Sequence, residues 1–224
     1  MSNAIARILT ALLLAGIYFF AYYCLPAWVL AYIIGIIGLY IFFVEFLPIA
    51  PIIEITPKKN FLRYGILHLS ICLAFVILIY WALHHTQLLA LTIILASAAD
   101  IGAYTIGKLC GNHKLAPTIS PGKTWEGFIG GWCTTAIVLV GIQTWYKNIL
   151  SLQLLLWTLL FSLGSTVAGL LGDLYISKLK RAAGIKDTGS ILPGHGGLLD
   201  RCDSILSITW YIFLYNVLVK YIIP

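Results

Sequence analysis

Seven runs of apolar residues, each close to the length that crosses a lipid bilayer, dominate this 224-residue chain. A transmembrane helix needs about 20 consecutive, mostly apolar residues. Such runs lie at Ile5 to Cys24, Ala27 to Val44, Tyr64 to Leu83, Leu88 to Leu109, Trp125 to Tyr146, Leu152 to Ile176 and Leu198 to Ile222. The expected fold is therefore all-α, a polytopic integral membrane helix bundle of about seven spans. Composition argues against a soluble protein: 61% of residues are hydrophobic and 10% charged, where a soluble domain has about 25% charged. With no polar stretch long enough for a separate soluble domain, residues 1–224 read as one membrane domain. Residues 1–86 supply its amino-terminal spans and 87–224 the spans and loops that carry chemistry. The first apolar run follows Arg7 but has no small-residue cleavage site, so a retained span is expected rather than a secretion signal. Five cysteines, scattered singly, lack the spacing of a zinc site and read as packed thiols.

Charge gives this bundle an orientation. Very short connections, such as Leu25-Pro26, alternate with longer polar ones at Glu54 to Arg63, Gly111 to Thr124 and Ser177 to Gly197. The long connections share one side, and of the 14 Lys and Arg residues only Lys147 and Lys220 fall opposite. Loops rich in Lys and Arg stay in the cytoplasm, so the amino terminus is expected there. The chain then reads as a multi-pass protein with its active site facing the cytoplasm, in the inner membrane if the source is bacterial. All 8 acids fall on the same half. Orientation does not require that, because acids contribute little to topology, whereas a polar cavity opening to the cytosol does. Trp81, Trp125, Trp145 and Tyr146, near span ends, read as interfacial anchors. Gly35, Gly38, Gly130 and Gly131 suit close helix contacts, within one chain or in a homodimer.

Several acids lie inside apolar runs, where a carboxylate costs about 2.5–3.5 kcal/mol unless it meets a cation, a metal or water. Asp100, Asp173, Asp200 and Asp203 each sit toward the cytoplasmic end of a span, and Asp200 and Asp203 stand one helical turn apart. Interleaved with Lys180, Arg181, Lys186 and Arg201, such acids suit a phosphate substrate bound with Mg²⁺, or with that ion and a second cation. A basic trio such as Lys178, Lys180 and Arg181, taken alone, would anchor a helix end to anionic headgroups. The neighbouring acids argue for a site instead. No nucleic-acid partner is expected.

The loop Ser177 to Asp203 reads S-K-L-K-R-A-A-G-I-K-D-T-G-S-I-L-P-G-H-G-G-L-L-D-R-C-D. Its glycines permit close backbone approach, and amides at the start of the last helix suit an anion. A second stretch, S-P-G-K-T-W-E-G, runs from Ser120 to Gly127. Its Gly122-Lys123-Thr124 looks like the tail of a P-loop, but Pro117 stands where that motif needs its first glycine, so the reading fails. Glu126 reads either as an acid favouring the helix amino terminus or as a substrate or metal contact.

These two stretches carry a resemblance to the phosphatidate cytidylyltransferases, also called CDP-diacylglycerol synthases. Ser177, Lys180-Arg181, Lys186-Asp187, Gly189, Pro193, His195-Gly196-Gly197 and Asp200-Arg201-x-Asp203 stand where that family has them. Cys202 departs from the usual aliphatic residue or threonine. Ser120 to Gly127 is similar to the family's S-P-K-K-T-W-E-G, with Gly122 replacing a lysine. Asp100 with Tyr104 and Gly107, and Gly172-Asp173, also resemble family positions, so the likeness runs from Asp100 to Asp203.

The resemblance implies that CTP and phosphatidic acid yield CDP-diacylglycerol and pyrophosphate at the bilayer surface, with Mg²⁺ on the triphosphate. It implies Asp173, Lys180, Arg181, Lys186, Asp187, His195, Asp200, Arg201 and Asp203 as catalytic residues. Ser120, Lys123, Thr124, Glu126, Ser177, Gly196 and Gly197 would line the substrates, and Asp100, Asp173, Asp200 and Asp203 would hold metal. Alternatives left open are a CTP-dependent lipid kinase, a cytidylyltransferase for an isoprenoid ether lipid and, outside enzymes, an ion-coupled transporter. The last predicts acids near the midplane and an inverted repeat, whereas these acids gather toward one face.

Overall fold

The computed structural model describes residues 20, 23–49, 59–147, 151–189 and 196–222. Among them, five helices are long and apolar enough to cross a membrane: Ala27–Ile49, Thr86–Cys110, Trp125–Trp145, Leu152–Ala182 and Leu199–Lys220. A further helix, Lys59–His84, carries a shorter apolar stretch at Ser70–His84. The chain is thus a multi-pass helical membrane protein. The expected first span lies outside the described residues except for Phe20, Tyr23 and Cys24. Large apolar side chains such as Trp28, Ile36, Val76, Ile137, Trp157 and Leu214 are exposed along the helices, as lipid-facing residues are.

The described residues of Met1–Leu89 and Leu179–Cys202 form one compact unit, and those of Ala90–Lys178 and Asp203–Pro224 a second. In the first, helix α1 (Ala27–Tyr40) starts behind Pro26, whose carbonyl accepts the Val29 and Leu30 amides at 2.9 and 3.3 Å. The helix then widens into a π-helical turn, Ile41–Phe46, with Leu47 donating back five residues to the Phe42 carbonyl, and closes through a 3-10 turn at Leu47–Ile49. Single π turns recur at functional positions, and this one carries the buried Glu45. Helix α2 (Lys59–His84) packs against α1. Gly38 makes that approach possible: a Cβ there would stand 2.9 Å from the Phe75 ring. His85 alone links α2 to α3 (Thr86–Cys110), its amide bonded to the Trp81 carbonyl at 2.8 Å.

The second unit is assembled largely through small residues. Helices α3 and α4 (Trp125–Lys147) cross so closely that a Cβ on Gly102 would come within 2.5 Å of the Gly130 carbonyl oxygen, and one on Gly130 within 2.5 Å of Ile106. Without a hydrophobic force between helices in lipid, such contacts and interhelical hydrogen bonds hold a bundle together. Here the Trp132 indole donates to the Leu159 carbonyl and Ser162 hydroxyl at 3.3 and 3.1 Å, and Thr158 donates to Gln143 at 2.7 Å. These polar links join α4 to α5 (Leu152–Ala182). The last helix, α6 (Leu199–Ile222), packs on α5 where Gly172 leaves room for Ser207.

One feature departs from an all-helical chain. Between α3 and α4, β1 (Lys114–Ala116) and β2 (Ser120–Thr124) pair antiparallel, Lys114 opposite Thr124 and Ala116 opposite Ser120. Pro121 and Gly122 oppose helix in this stretch, and its chain folds back over a short turn instead.

Candidate active site

In the first unit, α5 ends on a sharp stop. Gly184 takes φ +71°, its amide bonds to the Arg181 carbonyl at 3.1 Å, and the Ile185 amide bonds to the Lys180 carbonyl at 3.0 Å. This six-to-one and five-to-two pattern requires a left-handed residue, which glycine supplies without strain. The stop places Lys180 in the last turn of α5. Its ammonium donates to Asp200 Oδ1 at 2.7 Å, with the side chains only 11% and 6% exposed. The second Asp200 oxygen accepts the Thr188 and Gly197 amides at 2.9 and 3.0 Å. Asp200 therefore knots three pieces of the signature loop to one carboxylate.

Glu45 makes a second knot. It is 1% exposed and accepts the Leu198 and Leu199 amides at 2.7 Å each, with the Thr188 hydroxyl at 3.0 Å. The glycine pair before α6 follows from these contacts. Gly196 has φ +80°, and a Cβ on Gly197 would stand 2.6 Å from Glu45 Oε2. The amides expected to face an anion here are thus held by two protein carboxylates. Glu45 was not singled out for the site from sequence, because its partners lie 153 and 154 positions away. The one signal was its place among acids gathered at the cytoplasmic half.

In the second unit, Asp173 accepts the Ser177 hydroxyl at 3.1 Å and pairs with Lys123. Asp203 is 7% exposed, bonds the Ser204 amide at 2.7 Å, and lies in the electrostatic reach of Asp173, Asp100 and Lys123. Asp203, on α6, thus stands among charges carried by β2, α3 and α5.

Thr124 and Glu126 have local partners beside them. The buried Thr124 hydroxyl accepts the Gly127 amide at 3.1 Å, capping α4. Glu126 accepts the His113 backbone amide at 3.2 Å and meets its ring Nδ1 at 2.6 Å, tying the entry of the hairpin to the first turn of α4. Ser120 is half-buried in β2. Arg181, Lys186, Asp187 and Arg201 are exposed, Gly196 is half-buried, and His195 lies outside the described residues.

The carboxylates offer only hard oxygen donors, the set that Mg²⁺ takes. Among the described residues no three His, Cys, Asp or Glu side chains are grouped closely enough to hold one ion by themselves. Mg²⁺ is commonly bound through one or two carboxylates, with substrate phosphates and water completing the shell. The donor set suits the ion.

Membrane-crossing helices with buried acids and bases at their ends define a polytopic membrane protein with an ionic site. The model of the cytidylyltransferase family matches residues 58–219, and the chain belongs to that family. It is 44% identical over 124 residues to a phosphatidate cytidylyltransferase of Haemophilus influenzae, covering 54% of this chain and 43% of that protein. Similarity to the phosphatidate cytidylyltransferase of Staphylococcus haemolyticus is 50% over 107 residues, 48% of this chain and 40% of the relative. A protein of Escherichia coli K12 named only as uncharacterized protein YnbB is 44% identical over 128 residues, 57% of this chain and 40% of the relative. The chain thus spans about two fifths of the length of the curated relatives it matches.

Proposed function

We propose that the chain is a phosphatidate cytidylyltransferase: CTP and phosphatidic acid react to give CDP-diacylglycerol and pyrophosphate in phospholipid synthesis. The observation that carries the reading is the signature loop, whose Asp200 is fixed by buried bonds and which carries the exposed cations Arg181, Lys186 and Arg201. A phosphatidate oxygen forms the new bond to the α-phosphorus of CTP. The bond from that phosphorus to the β-phosphate bridging oxygen breaks, and pyrophosphate leaves with the electron pair. Because the second pKa of a phosphate monoester is about 6, the nucleophile is ionised at neutral pH and needs no strong protein base. Catalysis then rests on positioning and charge neutralisation.

Asp173 and Asp203 would hold Mg²⁺, with Asp100 next, and the ion would offset charge on the triphosphate. Arg181, Lys186 and Arg201 would bind phosphate oxygens, as would Lys123 and Ser120 of the hairpin. Lys180 keeps Asp200 oriented. The topology proposed is seven spans with the amino terminus and active site cytoplasmic, which brings nucleotide from solution and lipid sideways from the inner leaflet.

The test is purified protein with phosphatidic acid, Mg²⁺ and CTP labelled at the α- or γ-phosphate. Lipid-linked cytidine with stoichiometric pyrophosphate is the expected product. Transfer of γ-label to lipid would replace the proposal with a lipid kinase, and absence of turnover would overturn the enzyme reading.

A further inference from the structure

Glu45 precedes the family-matched residues 58–219, yet its carboxylate ends inside the signature loop. It sits on the π turn of the second expected span and is 1% exposed. Three donors converge on it: the Thr188 hydroxyl and the Leu198 and Leu199 amides. The last two open α6, where helical amides lack partners within the helix. The same Thr188 gives its amide to Asp200 at 2.9 Å, so Glu45 and Asp200 share one residue as a bridge. Gly189 and Gly197 also lie against it: a Cβ on either would come within 3.0 and 2.6 Å of its oxygens.

We infer that Glu45 is a positioning residue for the transfer reaction, an anchor on the amino-terminal helix that sets where the signature loop presents Asp200 and the bases around it. The inference rests on the cytidylyltransferase reading. Glu45 touches no substrate; it acts through Thr188 and the first amides of α6. A buried carboxylate satisfied by three donors holds its partners far more firmly than solvent would. A glutamine has one acceptor oxygen and one amide donor, so it faces at least one of these N–H groups with a donor of its own.

The experiment compares wild type with Glu45→Gln as full-length protein in detergent. It measures kcat and KM for CTP with phosphatidic acid and Mg²⁺, thermal melting, and the rate of trypsin cleavage after the exposed Lys186. Charge-assisted hydrogen bonds contribute about 1.5–3 kcal/mol, equivalent to roughly a 10- to 150-fold fall in kcat. The expected result is a fall of that order with KM for CTP little changed, and several-fold faster cleavage at Lys186 in the variant.

Wild-type kcat per folded molecule would overturn the inference even with lowered melting, since Glu45 would then serve stability alone. Unchanged cleavage would overturn it too. If Glu45→Gln fails to fold, Thr188→Val removes one donor and leaves the Glu45 bonds to α6. A lowered kcat at unchanged melting temperature supports the anchor, and an unchanged kcat refutes it. If wild type itself transfers no cytidylyl group, the activity reading fails separately, and the cleavage comparison still decides whether Glu45 holds the loop.

Discussion

Lys180 and Asp200 stand almost wholly out of solvent, joined at 2.7 Å, so each side chain depends on the other. Removing one partner of a buried pair leaves an uncompensated charge and costs about 3–5 kcal/mol, whereas replacing both is often nearly neutral. Lys180→Met is therefore expected to lower the melting temperature of detergent-purified protein and abolish turnover. Adding Asp200→Asn should recover much of the stability and none of the turnover. Full activity in the double variant would remove both residues from the mechanism. That Asp173, Asp200 and Asp203 would have partners was legible, because a carboxylate in an apolar run demands one. Glu45 carried the same demand, but nothing local marks a residue whose partners lie at Leu198 and Leu199. Thr124 and Glu126 were legible as important, yet residue type alone did not show which bonds they make, a helix cap and a link to His113.

Among the elements, the α3–α4 crossing depends most directly on side-chain size. Gly102→Val would drive a branched side chain into Thr134 and the Gly130 carbonyl, and neither α4 backbone nor its neighbours can yield by that much. Loss of monodisperse protein on size-exclusion chromatography is the expected outcome; a well-folded variant would mean the helices do not cross as described. Thr124→Ala is a milder change that deletes the cap on Gly127, and a loss of about 1 kcal/mol is expected in thermal unfolding. Five of the seven expected spans were readable because length and apolarity alone select them. The hairpin was not. β2 is S-P-G-K-T, with proline and glycine where strands avoid them and no alternation to follow. Its pairing with Lys114–Ala116 is decided by what surrounds it.

At the scale of the whole molecule, the proposed orientation assigns every long polar connection to the cytosol. In a cysteine-free background, Lys186→Cys should react with a membrane-impermeant maleimide in inside-out vesicles, and Ser151→Cys in right-side-out ones. The opposite pattern would invert the topology. The proposed orientation rests on the alternation of short and long connections, while the apolar run ending at Val44 gave no sign of the π turn at Ile41–Phe46. The 31 residues of α5, stopped at Ala182 by Gly184, measure about 46 Å at 1.5 Å per residue. The hydrocarbon core of a bilayer is about 30 Å thick, so the helix is longer than its crossing by about three turns. Its charged residues, from Asp173 to Arg181, all lie at one end. In the proposed reaction, the surplus length would make that end a stiff post rising through the headgroup layer, along which the reach between a lipid phosphate and a soluble nucleotide would be set by counting residues.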